Sequence, residues 1–144
     1  MKLFIHTDGG SRGNPGPAAS GAVLKDVNGK VLDTIAKYLG STTNNQAEYT
    51  AIVIGLERAK AMGATVAEVV MDSELAVKQL NGQYRVKNPE LGKRYREVMG
   101  LVEKFARVTF RHVRREQNVE ADAAVNACLD SHGTRKSEYR STKF

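Results

Sequence analysis

The sequence contains no tryptophan and only one cysteine, Cys128, among its 144 residues. A single cysteine cannot form an internal disulfide, and with only three histidines beside it a zinc site is disfavoured. The chain shows no apolar run long enough to cross a membrane and no leader segment before its first strand. We therefore expect a protein of the reducing cytoplasm without membrane contact.

Acidic residues are outnumbered by basic ones, 16 against 22, which gives a net charge of +6. The stretch after Asp130 contributes four basic residues and one acidic residue to this balance. A basic surface suits a polyanionic partner such as nucleic acid, although it also aids solubility. Because this last stretch has few apolar residues and no periodicity, we predict one domain over residues 1–130 and a flexible basic tail over residues 131–144.

Hydrophobic patterning and turn residues predict the element order βββαβααβα. The first strand, Lys2–Asp8, is expected to end at Gly9-Gly10, and a hairpin follows with its turn at Asn28-Gly29. Two later strands are predicted at Val66–Asp72 and Val108–Val113. Helices are predicted to start at Thr43, Ser73, Pro89 and Asn118 and to end near Gly63, Leu80, Phe105 and Leu129. This order indicates an α/β fold in which helices cover one mixed sheet.

Four carboxylates occupy the ends of predicted elements. Asp8 and Asp72 each end a strand, Glu48 lies one turn into the first helix, and Asp122 lies in the first turn of the last helix. If the two strands are parallel neighbours, their carboxyl ends meet at one edge of the sheet, where open α/β folds bind ligands. Any one of these acids alone is explained by a turn or by the helix dipole.

Several acids at one point repel each other unless a cation joins them. Hard oxygen ligands select Mg²⁺ or Mn²⁺ rather than zinc, and a pair of such ions about 4 Å apart suits phosphodiester hydrolysis. Cys128 does not offer a competing nucleophile, because it lies within an apolar helical pattern and is expected to be a core residue.

Four segments carry a family resemblance: TDGGSRGNPGPA, TTNNQAEY, MDSELAV and NVEADAAVN. In this order they resemble the motif regions of type 1 ribonuclease H, and the likeness covers residues 1–129. The resemblance implies a five-stranded mixed sheet with flanking helices. It also implies endonucleolytic hydrolysis of the RNA strand of RNA–DNA hybrids by a two-metal-ion mechanism, leaving 5′-phosphate and 3′-hydroxyl ends. The metal-binding catalytic acids implied are Asp8, Glu48, Asp72 and Asp122.

Substrate contacts are implied where the motifs match. Gly9, Asn14 and Asn44 are expected to face the hybrid, with Asn45 beside them. Thr43 and Asn14 are expected to hold a phosphate of the DNA strand at the start of a helix, where free amides and the dipole favour anions. The simpler reading of Thr43 is helix capping. Asn44 and Asn45 are poor helix formers that capping does not require, which favours a functional role for both.

Two departures separate this chain from many members of that family. Only a short polar connection, Gly82–Leu91, stands where those members carry a basic handle, so the chain is similar to the short bacterial and archaeal form. No histidine lies in the loop before the last helix, where many members have one. Arg115 is the expected substitute, acting on phosphate because arginine does not release protons near neutral pH, and Glu116 is the second candidate. His112 is expected to be a half-buried strand residue.

Other functions remain open at this level. A catalytically weak module that binds hybrids or double-stranded RNA could share the fold, although four acids facing phosphate would not help a pure binder. A resolvase or transposase domain and a glycosidase using two carboxylates are the further alternatives. We expect the chain to act as a monomer.

Overall fold

The computed structural model describes residues 1–133 and 139–141. The strands of its main sheet are β1 Lys2–Arg12, β2 Gly16–Lys25, β3 Val31–Thr42, β4 Val66–Met71 and β5 Arg107–His112. They lie in the order β3-β2-β1-β4-β5. The first three strands pair in antiparallel fashion, whereas β4 runs parallel to both β1 and β5. This confirms the predicted α/β fold with its five-stranded mixed sheet.

Four helices flank this sheet in the described part of the chain: α1 Asn44–Ala61, α2 Glu74–Leu80, α3 Pro89–Val102 and α4 Val119–Ser131. Gly21 of β2 meets α4, while the adjacent Ala22 lies against Gly55 of α1. Because successive strand residues point to opposite faces, α1 and α4 cover opposite faces of the sheet. None of the described helices is long and apolar enough to cross a membrane.

The larger core lies between the sheet and α1, with α3 packed on the outside of α1. It is built from fully buried aliphatic side chains, among them Leu3, Ile5, Leu24, Ile52, Leu56 and Val69. A smaller cluster of Ala19, Val125 and Leu129 lies under α4, and the half-buried Cys128 packs against it. Burial raises the pKa of the Cys128 thiol, but the prediction of a core residue is wrong, because Cys128 is only partly buried at the rim of this cluster.

The capping predictions hold at Thr43 and Ser73 and fail at Asn118, while α3 has a cap, Asn88, that was not predicted. Thr43 Oγ1 accepts the amide of Gln46, Ser73 Oγ accepts that of Ala76, and Asn88 caps α3 ahead of Pro89. Asn118 stands at the N-cap position of α4 but makes no side-chain cap. Its side-chain amide instead donates to the carbonyl of Thr7 at 2.9 Å. The Asn118 side chain is buried, and this hydrogen bond joins the start of α4 to β1.

The first strand is longer than predicted. Gly9-Gly10 does not end β1, which continues to Arg12. A glycine is required at position 9, because a Cβ there would overlap the carbonyl of Ala47 and the amide of Glu48 on α1. The glycine therefore marks a close approach of helix and strand rather than a turn. Smaller shifts occur elsewhere: α3 ends at Val102 instead of Phe105, and β5 is one residue earlier than predicted.

Part of the predicted tail belongs to the sheet. Residues Tyr139–Ser141 form a short strand, β6, whose backbone pairs antiparallel with Gly10–Arg12 of β1. Strand β4 pairs with β1 only as far as His6, so β6 covers an edge that β4 leaves open. Ser131 belongs to α4, one residue beyond the predicted boundary. The flexibility predicted for the rest of the tail falls on residues 134–138 and 142–144, which lie outside the described residues.

Candidate active site

Three carboxylates converge at one edge of the sheet. Asp8 lies within β1, Asp72 directly follows β4, and Glu48 lies in the second turn of α1. Each offers one carboxylate oxygen, and these oxygens all lie within 4.8 Å of one another. All three residues are at least 96% buried. The prediction that β1 and β4 are parallel neighbours is confirmed, and this pairing places Asp8 and Asp72 side by side.

Close contacts with the sheet hold Glu48 in place. Because Gly9 has no side chain, the first turns of α1 approach β1 directly. Ser20 of β2 donates its hydroxyl to the carbonyl of Ala47 at 2.6 Å. Farther back, the Tyr49 hydroxyl donates to Gln79 Oε1 at 2.7 Å and so links α1 to α2, the helix that follows Asp72. The three acids therefore rest on a rigid frame of strand, helix and buried hydrogen bonds.

The triad has the composition of a site for a hard cation. Two full charges 4.8 Å apart repel by about 3–4 kcal/mol at an effective dielectric constant of about 20. Three such groups in a buried cluster therefore favour a bound cation or a shared proton. Their donor atoms are all carboxylate oxygens, which suit Mg²⁺ and Mn²⁺. The residues present thus fit a divalent metal ion of this class.

Asp122, the fourth predicted acid, is placed differently. It is half-buried in the first turn of α4 and is not a member of the group within 4.8 Å. The side chain of Asn126 donates to both the carbonyl and the carboxylate of Asp122, at 3.2 and 3.4 Å. The structure therefore brings three of the four predicted acids together and places the fourth on a separate, hydrogen-bonded helix.

Comparison with known proteins identifies the family of this chain. A family model described as "Reverse transcriptase-like" matches residues 6–128. The solved RNase H1 of the archaeon Halobacterium salinarum is 38% identical, with a TM-score of 0.89, and the match covers 91% of this chain and 99% of that one. The chain belongs to the ribonuclease H family.

Two further relatives extend the comparison. LC11-RNase H1, solved in complex with an RNA/DNA hybrid, is 39% identical with a TM-score of 0.87, over 92% of this ribonuclease H and 99% of that chain. "Bifunctional protein Rv2228c" of Mycobacterium tuberculosis is 43% identical over 132 residues. The 132 aligned residues cover 91% of the present chain but only 36% of the mycobacterial protein, so the chain spans about a third of that relative's length.

The residues predicted to face the hybrid differ in exposure. Thr43 and Asn45 are exposed at the start of α1, where they line a groove of about 550 Å³ together with Asn14. Asn44 is buried, and its Oδ1 accepts hydrogen bonds from the amide and hydroxyl of Ser11 at 2.9 and 3.1 Å. The amide of Asn44 in turn donates to Asn14 Oδ1. Asn44 and the buried Gly9 thus also connect β1 to α1.

The loop before α4 is exposed throughout its short 3₁₀ turn, Arg115–Gln117. Arg115 and Glu116 both point into solvent there. His112 is a strand residue, as predicted, but it is the last residue of β5 instead of an internal one, and it is exposed and not half-buried, because β5 lies at an edge of the sheet.

Helix α2 and the short connection after it carry a small charged cluster. Lys78 pairs with Glu74 at 2.8 Å and lies 5.1 Å above the ring of the exposed Tyr84. Hydrogen bonding with Lys78 lowers the pKa of the Glu74 carboxyl, so the negative charge of Glu74 is balanced within α2. Lys78 is therefore already paired with neighbouring side chains on its own side of the molecule.

Sequence reasoning missed one residue near the site. Arg12 at the end of β1 is 1% exposed and forms an ion pair with Asp130 at 2.7 Å. In the sequence, Arg12 stands out only because the rest of its segment, SRGNPGP, is made of small and turn-forming residues. The partners on α4 are more than a hundred positions away and gave no local sign.

Proposed function

We propose that this ribonuclease H hydrolyses the RNA strand of RNA–DNA hybrids, leaving 5′-phosphate and 3′-hydroxyl ends. The observation that carries the proposal is the buried triad of Asp8, Glu48 and Asp72 at the sheet edge. The solved complex of the relative LC11-RNase H1 with an RNA/DNA hybrid supports the same substrate. We assign these three acids and Asp122 as ligands of Mg²⁺, with Mn²⁺ as a substitute.

We assign the reaction to the point where Asp8, within β1, lies beside Asp72 at the carboxyl end of β4. A pair of divalent ions held there would lower the pKa of an attacking water and neutralise charge on the leaving oxygen. The chain itself contributes a fixed site for both ions. The absence of a side chain at Gly9 and the hydrogen bond from Ser20 keep the start of α1, which carries Glu48, against the sheet. Phosphodiester cleavage needs this alignment of nucleophile and leaving group.

Substrate recognition is assigned to the start of α1. Thr43 and Asn14 line the groove at the positive end of the helix dipole, which suits a backbone phosphate of the DNA strand. The exposed amide of Asn45 can donate to and accept from a 2′-hydroxyl, the group that distinguishes RNA. Since Asn44 Oδ1 already accepts from Ser11, Asn44 would contribute its amide hydrogens. Arg115 would attract phosphate from the exposed loop.

A cleavage assay tests the enzyme and its substrate together. Labelled RNA–DNA hybrid, single-stranded RNA and double-stranded RNA are incubated with Mg²⁺, with Mn²⁺ and with chelator. We expect cleavage of the hybrid only with metal, and a 3′ end that a polymerase can extend. Absence of cleavage with either metal, accompanied by tight hybrid or double-stranded RNA binding, would favour the binding-module alternative.

Two variants locate the chemistry. Asp72→Asn should lower kcat by about 100-fold or more, because it removes one charged ligand worth several kcal/mol in the transition state. Asp33→Asn is the matched control, since Asp33 lies in β3 and pairs with Arg58 at 3.3 Å. Full cleavage by Asp72→Asn would refute the assigned site even if the wild type is active.

The remaining assignments concern the setting of the enzyme. We propose that it acts as a monomer in the cytoplasm, in keeping with its single cysteine and the membrane result above. Sedimentation at micromolar concentration tests the monomer, and cell fractionation tests the location. For Arg115, the Arg115→Ala variant should flatten the dependence of hybrid affinity on salt, because one phosphate contact is lost.

A further inference from the structure

Arg12 is a buried cation at the end of β1, one residue removed in contact from Asp122. Its side chain has no solvent exposure, and its backbone pairs with Tyr139 of β6. A charge removed from water is destabilising unless ion pairs and hydrogen bonds compensate it. The partners that a buried arginine keeps are therefore informative about its role.

Those partners form one stripe on α4. Arg12 Nη1 lies 2.7 Å from Asp130 Oδ1, and Arg12 Nη2 donates to Asn126 Oδ1 at 3.2 Å. Asn126 Nδ2 continues the chain of contacts to the carbonyl and carboxylate of Asp122. Asp122, Asn126 and Asp130 are four residues apart in succession, which places them on one face of the helix.

The chemistry of these groups fixes the direction of the contacts. A guanidinium group only donates hydrogen bonds, so Asn126 must turn its oxygen toward Arg12. The amide nitrogen of Asn126 then faces Asp122, whose ionised carboxylate only accepts. Without the hydrogen bond from Arg12, the amide would lose the partner of its oxygen and would be held only by its contacts with Asp122. Arg12 thus helps to fix the amide group that the Asp122 carboxylate meets.

We propose that Arg12 is a positioning residue that acts through Asn126 to hold the Asp122 carboxylate in its catalytic orientation. The proposal rests on the function assigned to Asp122 above. In this scheme Asp130, whose side chain is 53% exposed, serves as the counter-ion of Arg12. Removing such an orienting partner of a metal-ligating group typically lowers activity or metal affinity by about 10–100-fold.

Two substitutions separate positioning from stability. Arg12→Lys keeps the positive charge and the ion pair with Asp130 but loses the second donor arm that reaches Asn126. Asp130→Asn removes the ion pair and leaves the contact with Asn126. We expect Arg12→Lys to lower kcat about 10-fold with KM within about twofold. Asp130→Asn should lower the melting temperature while its kcat remains within twofold of the wild type.

A third variant tests whether the effect passes through Asn126. Asn126→Ala should lower kcat as much as Arg12→Lys does, and the double variant should show no further loss, because both changes interrupt the same chain of contacts. Multiplied losses in the double variant would overturn the proposal. Activity losses that follow the melting temperature across all variants, including Asp130→Asn, would also overturn it.

A measurement that needs no activity keeps this inference apart from the proposed function. The side-chain amide signals of Asn126 in a ¹H–¹⁵N spectrum should shift in Arg12→Lys and again in Asp122→Asn, because each removes a partner of that amide. Unchanged signals in both would refute the contact chain. If the signals respond but the wild type does not cut hybrids, the positioning contact stands and the proposed function fails. If hybrids are cut and Arg12→Lys keeps full kcat, the function stands and the positioning role fails.

Discussion

Two glycines in helix interiors should respond to alanine in opposite ways. Gly55 of α1 and Gly100 of α3 both lie in helices without a positive φ angle. Alanine is favoured over glycine in a helix by about 1 kcal/mol, so the helix preference alone predicts a gain at both positions. The surroundings differ. A Cβ at Gly100 would meet nothing within 4 Å, whereas a Cβ at Gly55 would lie 2.6 Å from Cγ2 of the buried Ile5.

The magnitudes follow from that distance. Carbon atoms pack best at about 3.5–4.0 Å, so α1 or Ile5 would have to move by about 1 Å. Overpacking a tight core costs about 1–3 kcal/mol, which outweighs the helix gain. We expect Gly55→Ala to lower the free energy of unfolding by about 1–2 kcal/mol and Gly100→Ala to raise it by about 0.5–1 kcal/mol. The melting temperatures should then differ by about 5–10 °C.

Urea unfolding and calorimetry of the two variants measure this difference directly. Activity gives a second readout, since Glu48 lies two turns before Gly55 on the same face of α1. A shift of α1 away from β1 should therefore lower hybrid cleavage by Gly55→Ala at temperatures where it is fully folded. If Gly55→Ala is as stabilising as Gly100→Ala, the close packing of α1 on Ile5 is wrong.

Two further predictions concern charge. Desolvation and the nearby Lys25 lower the pKa of the half-buried His6. The stability that this histidine contributes is therefore present above its unfolded pKa of about 6.5 and is lost as pH falls through the lower folded value. Between pH 7 and pH 5 the unfolding free energy of the wild type should fall more than that of His6→Gln, as followed by urea titration, and parallel curves would contradict this. In the triad, Asp72→Asn should reduce the rise in melting temperature that Mg²⁺ produces, because one ligand is lost. In chelator the same substitution should raise the melting temperature, because repulsion between the carboxylates is relieved. An unchanged Mg²⁺ response, with Asp33→Asn as control, would argue against a metal at Asp72.

Local patterns predicted the parts of the fold that depend on neighbouring residues. The caps at Thr43 and Ser73 and the helix start at Pro89 lie where the sequence indicates them, because these signals act only two or three residues along the chain. The convergence of Asp8 and Asp72 followed from the parallel pairing of their strands. These features require no knowledge of distant contacts.

Features that depend on distant contacts were missed or misread. Asn118 has the sequence of a cap, but tertiary contact with Thr7, 111 positions away, takes its amide. Gly9-Gly10 has the composition of a turn, whereas the approach of α1 makes it part of β1. The burial of Asn44 and its hydrogen bonds with Ser11, 33 positions away, were not indicated by the motif. Each case reflects tertiary packing that a local pattern does not contain.

The distance in sequence between Arg12 and its partner Asn126 has a consequence for synthesis in the cell. A separation of 114 positions means that translation at about 5–20 residues per second leaves Arg12 without this partner for on the order of 10 s. During that time the strand that carries Asp8 has been made, but the helix that carries Asp122 has not. Among the elements that carry the four assigned acids, α4 is therefore translated last, so a chain cut off before α4 retains Asp8, Glu48 and Asp72 and lacks the helix that holds Asp122.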